Sequence, residues 1–244
     1  MNNPLLDPAA RLVIGHRGAS AEAPENTLPA FALALAQGAD ALELDVHATA
    51  DGVPVILHDP TLDRTTDRRG AVADLRWEEV RDARVPSLAE VLDAFPRTPL
   101  LIEIKASAAT APLAQVIQRH AAAGRIAVAA FDTAALRGLA GTGIAVGASR
   151  RDALQLVLAA YLGLRAGPGP RFYAIPDRYR GMPVPTRRVV ATARRLGRPV
   201  HVWTVDDPAR AVALWGRGVC GIISNRPGAI HAVRERVATA GAGS

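Results

Sequence analysis

Residues 41–59 read ALELDVHATADGVPVILHD, and this stretch decides how the strands of the chain are arranged. Two apolar, β-type runs, residues 41–46 and 53–57, are separated by the turn-favouring pair Asp51-Gly52. Polar residues lie within the first run and directly after the second. We therefore expect the second run to fold back on the first as a hairpin excursion instead of continuing the main sheet.

Apolar β-type runs alternate with helical patterns along most of the remaining chain. This alternation is typical of parallel strands joined by crossover helices, and the whole set predicts an α/β fold, a TIM-type (β/α)8 barrel. Nine strands are predicted, one more than the barrel needs, which is a second reason to place residues 53–57 outside the barrel wall. Besides residues 41–46, the other predicted strands are 11–15, 100–105, 126–131, 144–148, 172–175, 199–205 and 219–224.

The composition is that of a globular protein with a sizeable core, since 49% of the 244 residues are hydrophobic and 21% are charged. No interdomain linker or fixed-period repeat interrupts the chain, so residues 1–244 are expected to form one domain. Residues 1–12 lack the basic region and apolar core of a signal peptide, and no apolar run is long enough to span a bilayer. We expect a cytoplasmic location and no stable membrane insertion, while the oligomeric state stays open.

The net charge of +6 comes from arginine, because the chain has 28 arginines and a single lysine, Lys105. The arginines are scattered, aromatic residues make up only 4% of the chain, and no basic run is interleaved with aromatic residues. These features argue against a nucleic-acid partner, and a protein that binds an anionic surface is kept only as an alternative. The single cysteine, Cys220, excludes an intrachain disulfide and lies in an apolar run, where a buried, inert thiol is expected.

Four short polar clusters lie within or directly after predicted strands. In a barrel of alternating strands and helices the strand ends converge on one mouth, so we expect the clusters to lie together. Such a set can bind a hard divalent cation, grip a phosphate group and move protons around it. The clusters are His16-Arg17-Gly18, Glu43-Leu44-Asp45, His58-Asp59 and Glu103-Ile104-Lys105.

The acidic residues of these clusters predict a metal site. Glu43 and Asp45 are two residues apart on one strand, so their side chains point to the same side. Two adjacent carboxylates repel unless a cation lies between them, and hard oxygen ligands suit Mg²⁺ or Ca²⁺. Glu103 would be the third carboxylate. The alternatives are a pair of surface acids, which the apolar flanks disfavour, and a structural ion pair between Glu103 and Lys105.

The histidines predict acid–base chemistry. His16 and His58 occupy comparable positions at the ends of apolar runs, and the near-neutral pKa of histidine suits a general acid–base pair. The planar fork of Arg17 suits two phosphate oxygens. The histidines that lie outside these polar clusters are treated as structural or surface residues: His47, His120, His201 and His231.

At this point the residues resemble the glycerophosphodiester phosphodiesterase family. Residues 16–27, HRGASAEAPENT, look like its opening signature, and residues 38–59 match its second block in order and spacing. The likeness covers nearly all of residues 11–227, and the ordered series is specific although no single tripeptide is diagnostic. The later matches are Leu62-Asp63-Arg64-Thr65-Thr66, Pro86-Ser87-Leu88, Glu103-Ile104-Lys105, Trp203-Thr204-Val205 and Gly221-Ile222-Ile223.

The resemblance implies a TIM-type barrel that uses one divalent cation, Mg²⁺ or Ca²⁺. It also implies a role for each matching position of this sequence. The implied metal ligands are Glu43, Asp45 and Glu103, the acid–base pair is His16 and His58, and the phosphate contacts are Arg17 and Lys105. Glu25 and Asn26 would support the first loop or reach the metal region, and Trp203 would form a wall of the pocket.

The function implied by the resemblance is metal-dependent hydrolysis of glycerophosphodiesters, which releases glycerol 3-phosphate and an alcohol. By analogy with related barrels, His16 is assigned as the base and His58 as the acid. The nucleophile is either water or the glycerol 2-hydroxyl group. The alternatives are a lysophospholipase D-like enzyme that acts on lipid phosphodiesters and a barrel that binds a phosphorylated ligand without turning it over.

The chain departs from the family pattern in two places. Between Asp67 and Pro86 it is shorter than is common in the family, so we expect a more open site. Near the C-terminus, Cys220 and the pair Ser224-Asn225 stand where the family usually has Asp, and Thr followed by Asp. We expect these to be changes at the rim or in packing.

Overall fold

The structure is a computed structural model that describes residues 3–163 and 169–242, with side chains described as far as residue 236. Within this part of the chain, eight parallel strands form one curled sheet. They are β1 (Leu12–His16), β2 (Ala41–Ala48), β4 (Leu100–Ile104), β5 (Ile126–Ala130), β6 (Ala145–Val146), β7 (Tyr173–Pro176), β10 (Val200–Trp203) and β11 (Gly221–Ser224); the extra strands β3, β8 and β9 are described below. Their order in the sheet is β6-β5-β4-β2-β1-β11-β10-β7.

The two outer strands of this sheet meet. Arg171 N–H donates to the Val146 carbonyl oxygen at 2.8 Å, and Ala148 N–H donates to the Phe172 carbonyl oxygen at 3.0 Å. These bonds join the β6 end of the sheet to the β7 end. The predicted TIM-type barrel is therefore confirmed.

The predicted hairpin excursion is also confirmed. Strand β3 (Pro54–Ile56) runs antiparallel to β2, with Val46 opposite Ile56 and Ala48 opposite Pro54. A second hairpin, β8 (Arg178–Tyr179) and β9 (Met182–Pro183), follows β7 and was not predicted. Its strands of two residues are too short to give an alternating pattern in the sequence.

Helices follow most of the barrel strands and pack around the sheet. Helix α1 begins directly after Thr27, whose hydroxyl oxygen accepts a hydrogen bond from Ala30 N–H, so the loop before it ends at a fixed point. The helices are α1 (Leu28–Ala36), α2 (Trp77–Asp82), α3 (Leu88–Ala94), α4 (Thr110–Arg119), α5 (Thr133–Arg137), α6 (Arg150–Leu162), α7 (Arg187–Arg195), α8 (Pro208–Trp215) and α9 (Pro227–Ala242). No described helix combines the length and the apolar character that crossing a membrane requires.

Strand β2 shows how the sheet positions the polar clusters. Leu42, Leu44 and Val46 belong to the apolar cluster between the sheet and the helices. Ala41 belongs to a different cluster, which lies inside the barrel with residues of β1, β4 and β5. Because side chains alternate along a strand, Glu43 and Asp45 share the inner side with Ala41 and lie nearer the carboxyl end of β2.

Candidate active site

The three predicted metal-binding carboxylates lie together. Glu43 and Asp45 are on β2, and Glu103 is on the neighbouring β4, directly opposite Asp45 in the register. One carboxylate oxygen from each residue lies within 4.8 Å of those of the other two. Glu43 and Asp45 are buried, whereas the Glu103 side chain is 22% exposed. The cluster therefore opens towards solvent on the Glu103 side.

The electrostatics of this cluster favour a cation. Burial, together with the carboxylates of Asp45 and Glu103, raises the pKa of Glu43 well above its usual range, and burial also raises the pKa of Glu103. A cation among these oxygens would relieve both effects. The donor set consists of hard oxygen atoms, which fits Mg²⁺ or Ca²⁺. The residues present therefore fit one divalent ion.

Lys105 pairs with two of these carboxylates. Its Nζ lies 2.8 Å from Glu103 Oε1 and 3.2 Å from Asp45 Oδ1. Burial opposes the charged form, but the carboxylates of Asp45 and Glu103 outweigh it and raise the pKa of Lys105. The ion pair between Lys105 and Glu103, which the sequence offered as an alternative to a metal site, is thus present. The same ammonium group stands at the open side of the carboxylate cluster.

Arg17 is held by the loop that follows β1. Its backbone N–H lies 3.0 Å from the Glu43 carbonyl oxygen and 3.1 Å from Glu43 Oε2. Its side chain places Nε 3.1 Å from Asp45 Oδ2 and donates from Nη1 to Glu25 Oε1 at 3.0 Å. Asn26 Nδ2 donates to the same Asp45 oxygen at 3.0 Å. Glu25 and Asn26 therefore support the first loop, and Asn26 reaches the candidate metal ligands.

His16 is held in one tautomer by a chain of side chains. Its Nδ1 lies 2.7 Å from Asn225 Oδ1, and Asn225 Nδ2 donates to Asp206 Oδ2 at 2.8 Å. A carboxylate only accepts hydrogen bonds, so the amide nitrogen of Asn225 faces Asp206 and the amide oxygen faces His16. Nδ1 of His16 therefore carries the proton and Nε2 offers a lone pair, 3.9 Å from Glu43 Oε2. Burial also lowers the pKa of His16.

The contacts of residues 224 and 225 correct one expectation. Asn225 contacts the candidate base, and Ser224 Oγ donates to Asp206 Oδ1 at 2.9 Å. The prediction that this pair is only a rim or packing change is therefore wrong. Asn225 is far from His16 in the sequence, so no local pattern links them. Cys220 is buried as expected, and burial raises the pKa of its thiol.

His58 has a different partner. Its Nδ1 lies 2.7 Å from Asp59 Oδ1. Hydrogen bonds from Arg64 and His58 hold the pKa of the Asp59 carboxyl well below its usual range. His47 Nε2 lies 3.2 Å from the His58 carbonyl oxygen, so His47 supports this loop, in line with the structural role expected for it.

Arg64 connects the loops that follow β1 and β3 and had no assigned role. Its guanidinium group donates to Asp59 through Nε and Nη2, and to Glu25 through Nη1 and Nη2. Glu25 and Asp59 lie on the loops that follow β1 and β3. The sequence signal for Arg64 was its place in the motif at residues 62–66, five residues after Asp59.

Trp203 lies at the carboxyl end of β10. Its ring packs edge-to-face against Phe131, with the ring centroids 6.1 Å apart. Phe131 directly follows β5 and is 47% exposed. The two rings form an aromatic pair at the carboxyl ends of these strands.

Comparison with known proteins identifies the family. The family model described as "Glycerophosphoryl diester phosphodiesterase family" matches residues 16–229, which include every candidate site residue. The chain belongs to this family. It is an enzyme family of phosphoric diester hydrolases, as predicted.

Relatives of this glycerophosphoryl diester phosphodiesterase family align over most of the chain. The chain is 36% identical to a Mycobacterium tuberculosis protein named "Probable glycerophosphodiester phosphodiesterase 2", over 91% of this chain and 89% of that protein. It is 32% identical to a Caldanaerobacter subterraneus glycerophosphodiester phosphodiesterase, over 88% and 94% of the two chains. An Oleispira antarctica phosphodiesterase solved with its product sn-glycerol-3-phosphate has a TM-score of 0.76 and 25% identity, over 92% of this chain and 96% of that one.

Proposed function

We propose that the chain is a metal-dependent phosphodiesterase that hydrolyses glycerophosphodiesters to glycerol 3-phosphate and an alcohol. The observation that carries this proposal is the cluster of Glu43, Asp45 and Glu103 beside Arg17 and Lys105 at one mouth of the barrel. The product seen in the Oleispira antarctica phosphodiesterase supports the choice of substrate class.

The proposed metal ligands are Glu43, Asp45 and Glu103, and Mg²⁺ or Ca²⁺ fits their oxygen atoms. When bound, such an ion stabilises negative charge on the phosphoryl oxygens as a Lewis acid. Three carboxylates face the cationic side chains of Arg17 and Lys105, and Arg17 is also shared with Glu25, so negative charge is in excess at the cluster. The excess charge attracts a divalent cation to the mouth.

Arg17 and Lys105 are proposed to bind the phosphate group. Both charged groups lie within 3.2 Å of Asp45 oxygens, so a phosphate held by them stands next to the carboxylate cluster. Preorganised cations at this position stabilise the charge that develops in the transition state. The backbone contacts of Arg17 with Glu43 keep its position fixed before substrate arrives.

His16 is proposed as the base and His58 as the acid. Nε2 of His16 has a lone pair because Asn225 holds the proton on Nδ1, so it accepts a proton from the attacking oxygen. The Asp59 carboxylate next to His58 Nδ1 stabilises a protonated ring, which can deliver a proton to the departing alkoxide. Each proton transfer contributes about 10²–10⁴-fold to the rate.

A lysophospholipase D-like activity is the second candidate. A cleft of about 1030 Å³ adjoins the site and is bordered by Glu25, Asn26 and Arg64. Its lining also includes Val85 and Pro86, at the end of the segment that is short compared with the family. Such a cleft offers room for a substrate larger than a small head group. An acyl chain on the glycerol moiety would be the distinguishing feature of that substrate.

A panel of phosphodiesters tests these proposals. Glycerophosphocholine, glycerophosphoethanolamine and a lysophospholipid are incubated with Mg²⁺, Ca²⁺, Mn²⁺ or a chelator, and the products are identified. We expect glycerol 3-phosphate with a metal and no product with the chelator. An acylated product would favour the second candidate, and a cyclic phosphate would identify the glycerol 2-hydroxyl as the nucleophile. Absence of turnover on every ester would contradict both.

A further inference from the structure

Arg64 lies outside the barrel wall, in the loop between β3 and α2, yet it contacts two loops of the site. Its Nε and Nη2 lie 2.5 and 3.2 Å from the two Asp59 carboxylate oxygens. Its Nη1 and Nη2 lie 3.0 and 2.7 Å from the two Glu25 oxygens. Each of the two edges of the guanidinium plane that can make paired hydrogen bonds therefore holds one carboxylate.

This arrangement uses four of the five N–H donors of the guanidinium group. No edge remains that can bind a phosphate group through two parallel hydrogen bonds. The side chain is 48% exposed, so the Coulomb energy of these pairs alone is modest. The contacts therefore point to placement of the two carboxylates, not to direct contact with substrate.

Each of the two carboxylates has a second partner in the proposed machinery. Asp59 Oδ1 lies 2.7 Å from Nδ1 of His58, the proposed acid. Glu25 Oε1 accepts from Nη1 of Arg17 at 3.0 Å, and Arg17 is a proposed phosphate contact. A single side chain thus links the proton donor to the phosphate-binding cation.

We propose that Arg64 is a positioning residue that fixes His58, through Asp59, and Arg17, through Glu25, in one common frame. The inference rests on the proposed function. The proposed role concerns distance: the proton donor and the phosphate group must be held at a fixed separation for the leaving oxygen to be protonated. A displacement of about 1 Å at such a site costs about a hundredfold in rate.

The test compares Arg64→Gln with wild type on two glycerophosphodiesters that differ in the leaving group. One releases choline, whose alkoxide needs a proton, and the other releases p-nitrophenolate, which leaves without one. We expect Arg64→Gln to lower kcat for both esters, because Arg17 is displaced in each, and to lower kcat for the choline ester about tenfold or more beyond the loss seen with the nitrophenyl ester. KM should rise for both esters, because Arg17 binds the phosphate group of each.

Two further variants separate the contact of Arg64 with Asp59 from its contact with Glu25. Asp59→Asn should reproduce the loss of kcat that depends on the leaving group, and Glu25→Gln should reproduce the rise in KM. Each substitution should cause little further loss in a protein that already carries Arg64→Gln, since the contact with Arg64 is already absent. Arg76→Gln is the matched control, because Arg76 lies in the same segment between β3 and α2, its side chain is 72% exposed, and its ion pair among the described residues is with Asp51 at 3.8 Å.

Arg64→Lys keeps the charge but has no planar fork, so it should retain most of the defect. The proposal is wrong if Arg64→Gln behaves like Arg76→Gln, if both esters lose kcat equally, or if Arg64→Lys has wild-type kinetics. Circular dichroism of each variant checks that it is folded. Failure of the proposed function is a separate result, because wild type would then turn over neither ester.

Discussion

The two histidines proposed to move protons differ in their partners. His16 faces the amide oxygen of Asn225, a neutral acceptor, whereas His58 faces the carboxylate of Asp59. A neutral acceptor fixes a tautomer and stabilises a protonated ring less than a carboxylate does, because the carboxylate adds the attraction of its charge. This difference supports the assignment of His16 as base, which the resemblance gave only by analogy.

The role of Asn225 is tested by Asn225→Ala. Loss of the amide releases His16 from its tautomer, so we expect kcat to fall about 10- to 100-fold. Metal affinity should be unchanged, because Asn225 does not contact the carboxylate cluster. Steady-state kinetics and calorimetric metal titration give the two values. Ser20→Ala is the matched control, because Ser20 Oγ lies 2.7 Å from the same Asn225 oxygen and 2.8 Å from the His16 carbonyl oxygen but contacts no ring atom. A larger loss in Ser20→Ala than in Asn225→Ala would contradict the tautomer argument.

At the scale of elements, the loop after β1 depends on Gly18. Its φ is +88°, and an added Cβ would lie 2.6 Å from the backbone of Ala30 in α1. The loop therefore approaches the helix too closely for any side chain. Because Arg17 lies next to Gly18, this close approach helps to place the Arg17 side chain over Asp45.

We expect Gly18→Ala to destabilise the protein by about 1–2 kcal/mol from backbone strain and a further 1–3 kcal/mol from the contact with α1. Turnover should fall as well, since the Arg17 loop must move. Gly52→Ala is the control, because Gly52 has φ +79° but nothing within 4 Å of an added Cβ. Gly52→Ala should lower the free energy of unfolding only by the backbone strain. Urea unfolding of both variants measures the difference, and equal losses would show that the close approach does not matter.

The elements were largely predictable, and the contacts between distant residues were not. Each barrel strand is an apolar run bounded by turn residues, so all nine predicted strands are present with ends shifted by a few residues. Glu43, Asp45 and Glu103 were found because side chains alternate along a strand. Asn225 and Arg64 were not assigned, because their contacts join loops 209 and 39 residues apart in sequence. The contact of Asn225 with His16 depends on the pairing of the last strand with the first, and the contact of Arg64 with Glu25 depends on two loops meeting above β2, so neither is written in a local pattern.

At the scale of the whole molecule, the buried residue His201 makes the free energy of unfolding depend on pH. It is fully buried, its Nε2 donates to the Leu5 carbonyl oxygen at 2.9 Å, and burial lowers its pKa to about 4. In the unfolded chain its pKa is near 6.5, so the unfolded state binds the proton first as the pH falls. Stability is therefore lost between about pH 6.5 and 4.

We expect His201 to account for up to about 3 kcal/mol of lost unfolding free energy over that range. Urea unfolding of wild type and His201→Gln at several pH values isolates this contribution, because all other groups are shared. The advantage of wild type over the variant should shrink as the pH is lowered. A difference that stays constant from pH 7 to 4.5 would contradict the assignment.

Three carboxylates on β2 and β4 are proposed to hold one divalent ion that turnover requires. Calorimetric titration of chelator-treated protein with Mg²⁺ or Ca²⁺, followed by a turnover assay on glycerophosphocholine, tests this proposal most directly. We expect one ion per chain in wild type and in His58→Ala, with turnover restored only in wild type. Glu43→Gln should bind at least about tenfold more weakly, since one of three charged ligands is lost. Full activity in chelator, or wild-type metal affinity in Glu43→Gln, would contradict it.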